Sequence, residues 1–112
     1  MFARKHRLSK TKDVLAVFAG GRAFFNSFLS LKVLRKTQSA PRITVVVSTK
    51  VSKSAVKRNR LKRIVREFLR KKTDLLLGAD YVVILKPASA KAVEAEIVKN
   101  LDKLLVINKL LK

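Results

Sequence analysis

The residues best able to do chemistry in this 112-residue chain are the basic side chains between Lys50 and Lys72. This segment contains eleven lysines or arginines and one acid, Glu67. Guanidinium groups bind phosphate in a bidentate manner, and lysines add compact positive charge. Asn59 adds an amide that can orient a phosphate or contact a base edge. The segment therefore predicts a surface that binds a polyanion through its phosphates.

Groups suited to enzymatic chemistry are scarce. The chain has no cysteine, which excludes disulfides, thiolate zinc sites and cysteine nucleophiles. Its single histidine, His6, lies in a basic N-terminal stretch, where one more polar residue of that stretch is the simplest interpretation. No pair of carboxylates has a spacing suited to a catalytic site. We therefore predict no catalytic residue and no metal bound by the protein itself, and a self-sufficient nuclease is not expected.

The overall charge points to the class of partner. Lysine and arginine number 27 against 7 acids, a formal charge of +20. A compact domain this positive repels itself, which indicates a polyanionic partner. Nucleic acid is favoured over a membrane surface, because no cationic helix carries bulky aromatics on its apolar face. No apolar run could span a bilayer and the N-terminus lacks a secretory apolar segment, so we expect a cytoplasmic location.

Hydropathy patterning predicts a single domain over residues 1–112, with a mobile basic arm at residues 1–10. The predicted element order is α-β-β-β-α-β-α, an α+β sandwich with helices packed on a mostly antiparallel four-stranded sheet. The predicted helix caps are Thr11, then Ser52 or Ser54, then Ser89.

Two predicted strands precede the basic segment. Between Phe28 and Arg35 the residues alternate, which places Ser30 and Lys32 on the face opposite the leucines. Residues 37–41 are typical of a hairpin connection, and the β-branched stretch 42–49 is typical of a strand. The simplest arrangement joins these two strands as an antiparallel pair.

The basic segment has the periodicity of a helix. Its apolar face consists of Leu61, Ile64, Val65, Phe68 and Leu69. Its opposite face consists of Asn59, Lys62, Arg63, Arg66 and Arg70. A solvated helix face is the ordinary alternative, but such faces interleave acids with bases. Here Arg58, Lys62, Arg66 and Arg70 form three successive like-charge pairs at i,i+4. Each pair costs about 0.2–0.5 kcal/mol, which favours an anionic ligand.

Two sequence blocks carry a family resemblance. One is RITVVVSTK at residues 42–50, and the other is AVKRNRLKRIVREF at residues 55–68. Arg58-Asn59-Arg60 matches the Arg-Asn-Arg signature of the bacterial ribonuclease P protein subunit, which these blocks resemble. The likeness extends over most of the chain, roughly residues 7–105, and includes the strand YVVIL at residues 81–85.

The resemblance implies a function and a fold. The family is the small protein partner of a catalytic RNA that, with Mg²⁺, removes the 5′ leader of precursor tRNA by hydrolysis. The implied partners are ribonuclease P RNA, in a 1:1 complex, and precursor tRNA, with no membrane. The implied fold resembles the ribonuclease P protein and the ribosomal protein S5 domain 2-like fold. It includes a left-handed β-α-β crossover around the basic helix, where general topology rules favour the right hand.

The resemblance also assigns residues to two RNA surfaces. A cleft for the precursor tRNA leader would use Val14, Phe18, Ser30, Lys32, Asn59, Lys62 and Arg66. A surface for the catalytic RNA would use Lys50, Lys53, Arg58, Arg60 and Arg63. Phe18 has an alternative role in the core, because it lies at helical spacing from Val14. The residues assigned to the catalytic RNA have an alternative role too, in which they supply general positive charge without a specific RNA contact.

Two leader-cleft positions depart from the family pattern. Val14 stands where an aromatic is usual, and Lys32 where aromatics are common in some members. Base stacking contributes about 1–3 kcal/mol per base, so losing rings shifts leader binding towards phosphate contacts.

Two other functions fit the composition. A ribosomal protein would have a similar size, charge and fold class, but the signature block favours ribonuclease P. DNA-compacting proteins usually act as dimers with wedge-bearing arms, for which the sequence gives no indication.

Phosphate-dominated binding predicts a steep salt dependence for precursor tRNA. The logarithm of the association constant should fall linearly with the logarithm of salt concentration, by about 0.7 per single-strand phosphate contact. Equilibrium binding over a salt series measures this slope. A nearly flat response would contradict phosphate-dominated binding.

Overall fold

The computed structural model describes residues 3–35 and 40–112. In these residues the helices are α1 (Thr11–Gly20), α2 (Ala55–Lys72) and α3 (Glu94–Ile107). The strands are β1 (Arg22–Phe25), β2 (Leu29–Arg35), β3 (Arg42–Val46) and β4 (Ala79–Leu85). Short 3₁₀ turns occupy Arg4–His6 and Pro87–Lys91. The predicted order α-β-β-β-α-β-α is confirmed, and no helix in this part of the chain is long and apolar enough to cross a membrane.

The four strands form one sheet in the order β1-β2-β4-β3. β1 with β2 and β2 with β4 are antiparallel, whereas β3 is parallel to β4. The mostly antiparallel sheet is therefore confirmed, but the predicted pairing of β2 with β3 is wrong, because β4 lies between them. The reason is burial: Tyr81, Val82 and Val83 are almost fully buried, which requires a central strand covered on both faces. Residues 37–39 of the predicted hairpin connection lie outside the described residues.

Alternation along the strands divides the sheet into two faces. Leu31, Val83 and Val45 lie on one face, in the main core with side chains from α2 and α3. Val82 lies on the other face, where it packs against Val17 of α1 in a smaller cluster. Ser30 and Lys32 have the same parity as their partners Ile84 and Val82 and share this second face, as predicted. The hand of the β3-α2-β4 crossover stays a prediction.

Helix boundaries confirm one predicted cap and correct two. The Ser54 hydroxyl accepts from the backbone N–H of Lys57 at 3.3 Å, so Ser54 caps α2. Thr11 is the first residue of α1 rather than its cap. Ser89 lies in the short turn before α3, where its buried hydroxyl donates to the carbonyl of Lys86 at 2.7 Å. A serine with this local acceptor stabilises a turn rather than the following helix.

The N-terminal segment packs against the edge of the sheet. His6 is buried, and its Nδ1 donates to the carbonyl of Pro41 at 2.8 Å. The buried Leu8 donates its backbone N–H to Ile43 of β3 at 3.0 Å. The interpretation of His6 as one more polar residue of the arm is therefore wrong, because its ring satisfies a carbonyl beside the first residue of β3. Mobility of the basic arm stays a prediction.

A guanidinium joins α1 to the two parallel strands. Nε and Nη2 of Arg42 each donate to a carboxylate oxygen of Asp80 at 2.8 Å, and Nη1 donates to Asp13 of α1 at 3.3 Å. Asp80 is fully buried, and its hydrogen bonds raise the pKa of Arg42. Asp13 and Asp80 are 67 positions apart in sequence, so no local spacing could predict that they share a partner.

Replacing this guanidinium should destabilise the fold. Arg42→Met removes the cation from a buried carboxylate, and the free energy of unfolding should fall by about 3 kcal/mol, the low end for a broken buried pair, because Arg42 is 29% exposed. Asp13→Asn, which weakens the longer bond, should cost less than about 1 kcal/mol. Urea unfolding of both variants measures the difference. Equal and small losses would show that the Asp80 pair does not stabilise the fold.

Candidate nucleic-acid interface

A groove runs between α1, the β3 edge of the sheet and α2. Its volume is about 420 Å³. The lining residues are Arg7, Leu8, Ser9, Thr11, Val14, Leu15, Ile43, Thr44 and Arg66. Val14 and Arg66, which the resemblance assigned to one cleft, are therefore brought together. The lining combines aliphatic side chains with two arginines, which suits a ligand that has apolar faces and negative charge.

α2 presents a cationic stripe beside this groove. Its apolar face, with Leu61 and Val65, is buried in the main core. Asn59, Lys62 and Arg66 follow one another at intervals of three and four residues, so they share one side of the helix. Arg66 lines the groove, which places the other two on the same side towards the start of α2.

Arg70 stands apart from the other members of the predicted stripe. Its Nη2 donates to Glu67 at 3.0 Å, and both side chains are about half exposed. This partner also lowers the pKa of Glu67. Part of the positive charge of Arg70 is therefore balanced within the helix, and the stripe is strongest from Asn59 to Arg66.

Phe18 and Lys32 form a second feature of the same sheet face. Phe18 is 42% exposed, so its alternative role as a core residue is wrong. The Nζ of Lys32 lies 4.8 Å from the centre of the Phe18 ring, a cation–π contact between α1 and β2. Ser30 lies two residues before Lys32 on the same face. The arrangement combines an aromatic surface for a base with an ammonium for a phosphate.

The residues predicted to contact the catalytic RNA lie on α2 and in the loop before it. Lys50 and Lys53 are exposed in that loop, and Arg60 and Arg63 are exposed on the helix. At about 100° per residue, Arg60 lies about 100° around the helix from Asn59, whereas Arg63 lies only about 40° from Asn59. Arg63 therefore borders the stripe, and Arg60 lies on the flank of α2.

Arg58 differs from the rest of that set. It is partly buried, and its Nη1 donates to the carbonyl of Ser52 at 2.8 Å. This bond connects α2 to the loop that carries Lys50 and Lys53. Arg58 therefore supports the position of those lysines, in addition to the RNA contact predicted for it.

Of the nine residues that line the groove, only Val14 and Arg66 were predicted as site residues. Arg7 and Thr44 are two of the polar residues among the others. Thr44 could have been found, because alternation in β3 puts it on the same face as Arg42 and Val46. Arg7 could not, because its place depends on the pairing of the N-terminal segment with Ile43.

Metal ligands are not clustered in residues 3–35 and 40–112. No group of three or more histidine, aspartate or glutamate side chains there could hold a metal ion. Asp13 and Asp80, which do approach one another, both accept from Arg42. The prediction that the protein binds no metal stays a prediction.

Comparison with known proteins identifies the family. The family model described as Ribonuclease P matches residues 2–108. The ribonuclease P protein component of Chromobacterium violaceum is 39% identical over 103 residues, covering 92% of this chain and 85% of that protein. The structure of the ribonuclease P protein of Thermotoga maritima has a TM-score of 0.80 at 28% identity, covering 88% of this chain and 94% of that one.

The ribonuclease P protein of Staphylococcus aureus shows the same fold, with a TM-score of 0.89 at 24% identity over 96% of this chain and 98% of that one. These matches favour ribonuclease P over the ribosomal and DNA-compacting alternatives. Because the family model spans nearly the whole chain, and because both the sequence relative and the structural neighbours are ribonuclease P proteins, this chain belongs to the bacterial ribonuclease P protein family, the protein component of a tRNA-processing endoribonuclease.

Proposed function

We propose that this chain binds the RNA of ribonuclease P in a 1:1 complex in the cytoplasm and holds the 5′ leader of precursor tRNA. The RNA, with Mg²⁺, performs the hydrolysis, and the protein supplies no catalytic side chain. The observation that carries the proposal is that α1 contributes to both features. Val14 lines the groove with Arg66, and Phe18, four residues later in the same helix, contacts Lys32.

The chemistry of these two features suits a single strand. Proteins that bind single-stranded nucleic acid combine a cationic groove along the backbone with rings on which bases stack. Lys62 and Arg66 supply the cations, and Phe18 supplies a ring. Val14 contributes aliphatic surface where the family usually has a second ring, so phosphate contacts carry more of the affinity.

The part of α2 next to the stripe suits a structured RNA. Arg60 and Arg63 are exposed there, and Lys50 and Lys53 extend the charge into the preceding loop. Guanidinium groups on a rigid helix contact phosphates without reading sequence, as binding to a folded RNA backbone requires. Because Arg60 lies about 100° around α2 from Asn59, and Lys50 and Lys53 lie in the preceding loop, the protein can contact the catalytic RNA and the leader together.

Stimulation of the RNA subunit tests the proposal directly. A bacterial ribonuclease P RNA cleaves precursor tRNA at high Mg²⁺, and adding this protein should restore cleavage at low Mg²⁺, because its cations replace part of the charge screening. The rate of leader release is followed with and without protein. Absence of stimulation over a range of protein concentrations would refute the assignment to the ribonuclease P complex.

Paired charge removals should separate the two surfaces. Lys62→Ala with Arg66→Ala should lower precursor tRNA affinity by about tenfold, with a much smaller effect on mature tRNA, because only the precursor has a leader. Arg60→Ala with Arg63→Ala should instead weaken binding of the RNA subunit.

Lys99→Ala with Lys103→Ala is the matched control, because it removes two exposed lysines from α3. Binding of precursor, mature tRNA and RNA subunit is measured for all three variants. Equal losses for precursor and mature tRNA in the Lys62 and Arg66 variant would contradict leader binding by this face.

A further inference from the structure

We propose that Phe25, at the outer edge of the sheet, is a further leader-binding residue, on which a base distal to the cleavage site stacks. The inference rests on the proposed function, because it extends the same face of the sheet. Phe25 is the last residue of β1 and is 69% exposed. It belongs to neither the groove nor the residues assigned by the family resemblance.

Strand register places Phe25 on the leader-binding face. Phe25 is opposite Ser30, Ser30 is opposite Ile84, and Ile84 is opposite Val46. Residues opposite one another in a sheet share a face, so these four form one row across all four strands. Phe25 and Val46 are exposed, and Ser30 and Ile84 are partly exposed. The row is therefore a partly open strip beside α1.

The dimensions of this strip suit a short length of single strand. Three strand spacings of about 4.8 Å separate Phe25 from Val46, or about 14 Å. α2 packs on the opposite face of the sheet, and its cationic stripe borders the β3 edge, where Arg66 lines the groove with Thr44. A strand held by the stripe therefore reaches Phe25 after crossing the sheet once.

A lysine holds the Phe25 ring in place. The Nζ of Lys86 lies 4.8 Å from the ring centre, and the same ammonium donates to the carbonyl of Asn26 at 2.8 Å. The ring and the cation are therefore positioned together by the backbone next to Phe25. The Phe18–Lys32 pair on the same face has the same 4.8 Å separation. Each pair offers a surface for a base and an ammonium for its phosphate.

Isolated exposed apolar residues are common on protein surfaces and need no function. Phe25 differs because its ring lies at the end of the partly open strip and contacts the ammonium of Lys86. Ile107 on α3 is equally exposed, at 70%, and lines a cavity together with Phe25, but it has no ring on which a base could stack. It is therefore a matched control for loss of an exposed apolar side chain.

A leader-length series tests the inference. Precursor tRNAs with leaders shortened stepwise from about ten nucleotides are bound to the complex of this protein with ribonuclease P RNA. Phe25→Ala and Phe25→Leu should each lower affinity for long leaders by about tenfold and leave the shortest leaders unaffected. Phe25→Tyr should retain the affinity, because it keeps a ring. Ile107→Ala should match the unmodified protein at every length.

A second measurement isolates the cation. Lys86→Gln can still donate to Asn26 but carries no charge, so the salt slope for long leaders should fall by about one phosphate contact, with no change for the shortest leaders. Thermal unfolding of each variant checks that the fold is retained.

The outcomes separate the two proposals. If Lys62→Ala with Arg66→Ala weakens precursor binding while Phe25→Ala has no effect at any length, the inference about Phe25 is overturned and the proposed function stands. Equal loss at every leader length, or full affinity in Phe25→Leu, would also overturn stacking of a distal base. If leader length changes nothing in the unmodified protein, leader binding itself fails.

Discussion

The ion pair between Arg42 and Asp80 is the contact on which the groove between α1 and α2, the proposed leader-binding site, depends. Its two 2.8 Å bonds lie across the parallel strands β3 and β4, and the third bond, to Asp13, reaches α1. Asp13 precedes Val14, so the same guanidinium positions the helix wall that carries Val14 and Phe18. In a chain with 7 acids, two are used here. The groove between α1 and α2 therefore has its width set by an interaction inside the fold, before any RNA binds.

The cationic stripe is tolerated because α2 is held by its other face. Three like-charge pairs at i,i+4 cost about 1 kcal/mol in total. Burial of Leu61, Ile64, Val65 and Leu69 contributes about 6–12 kcal/mol in transfer free energy. The free energy gained by burying the apolar face is several times the cost of the charge repulsion, so the helix is stable with its positive charges unbalanced. This difference in free energy lets α2 keep the cationic surfaces that we propose for the leader and for the catalytic RNA.

Local periodicity predicted the helices and strands and their buried sides, but it did not predict which elements lie next to one another in the fold. The apolar repeat in α2 and the alternation in β2 predicted which side of each element is buried, because both patterns depend on residues a few positions apart. The order of the strands depends on β4, which begins 33 residues after β3 ends and lies between β2 and β3 in the sheet. The same holds for three polar side chains whose partners are at least 29 positions away. His6 donates to Pro41, and Asp13 and Asp80 both accept from Arg42. For the site, the family resemblance assigned Val14 and Arg66 to one cleft, and the groove brings them together. The structure adds Arg7 and Thr44.

In the proposed function, the departures at Val14 and Lys32 together change which contacts bind the leader. A valine in the groove cannot stack a base, and the ammonium of Lys32 occupies one side of the Phe18 ring at 4.8 Å. A base can therefore stack only on the other side of that ring, while Lys32 is placed to contact the phosphate of the same nucleotide. Stacking is worth about 1–3 kcal/mol per base, and each lost ring must be offset by contacts that salt screens. A protein with fewer rings in its groove then gains most from a ring elsewhere along the leader path, and Phe25 is the exposed ring at the far end of that path.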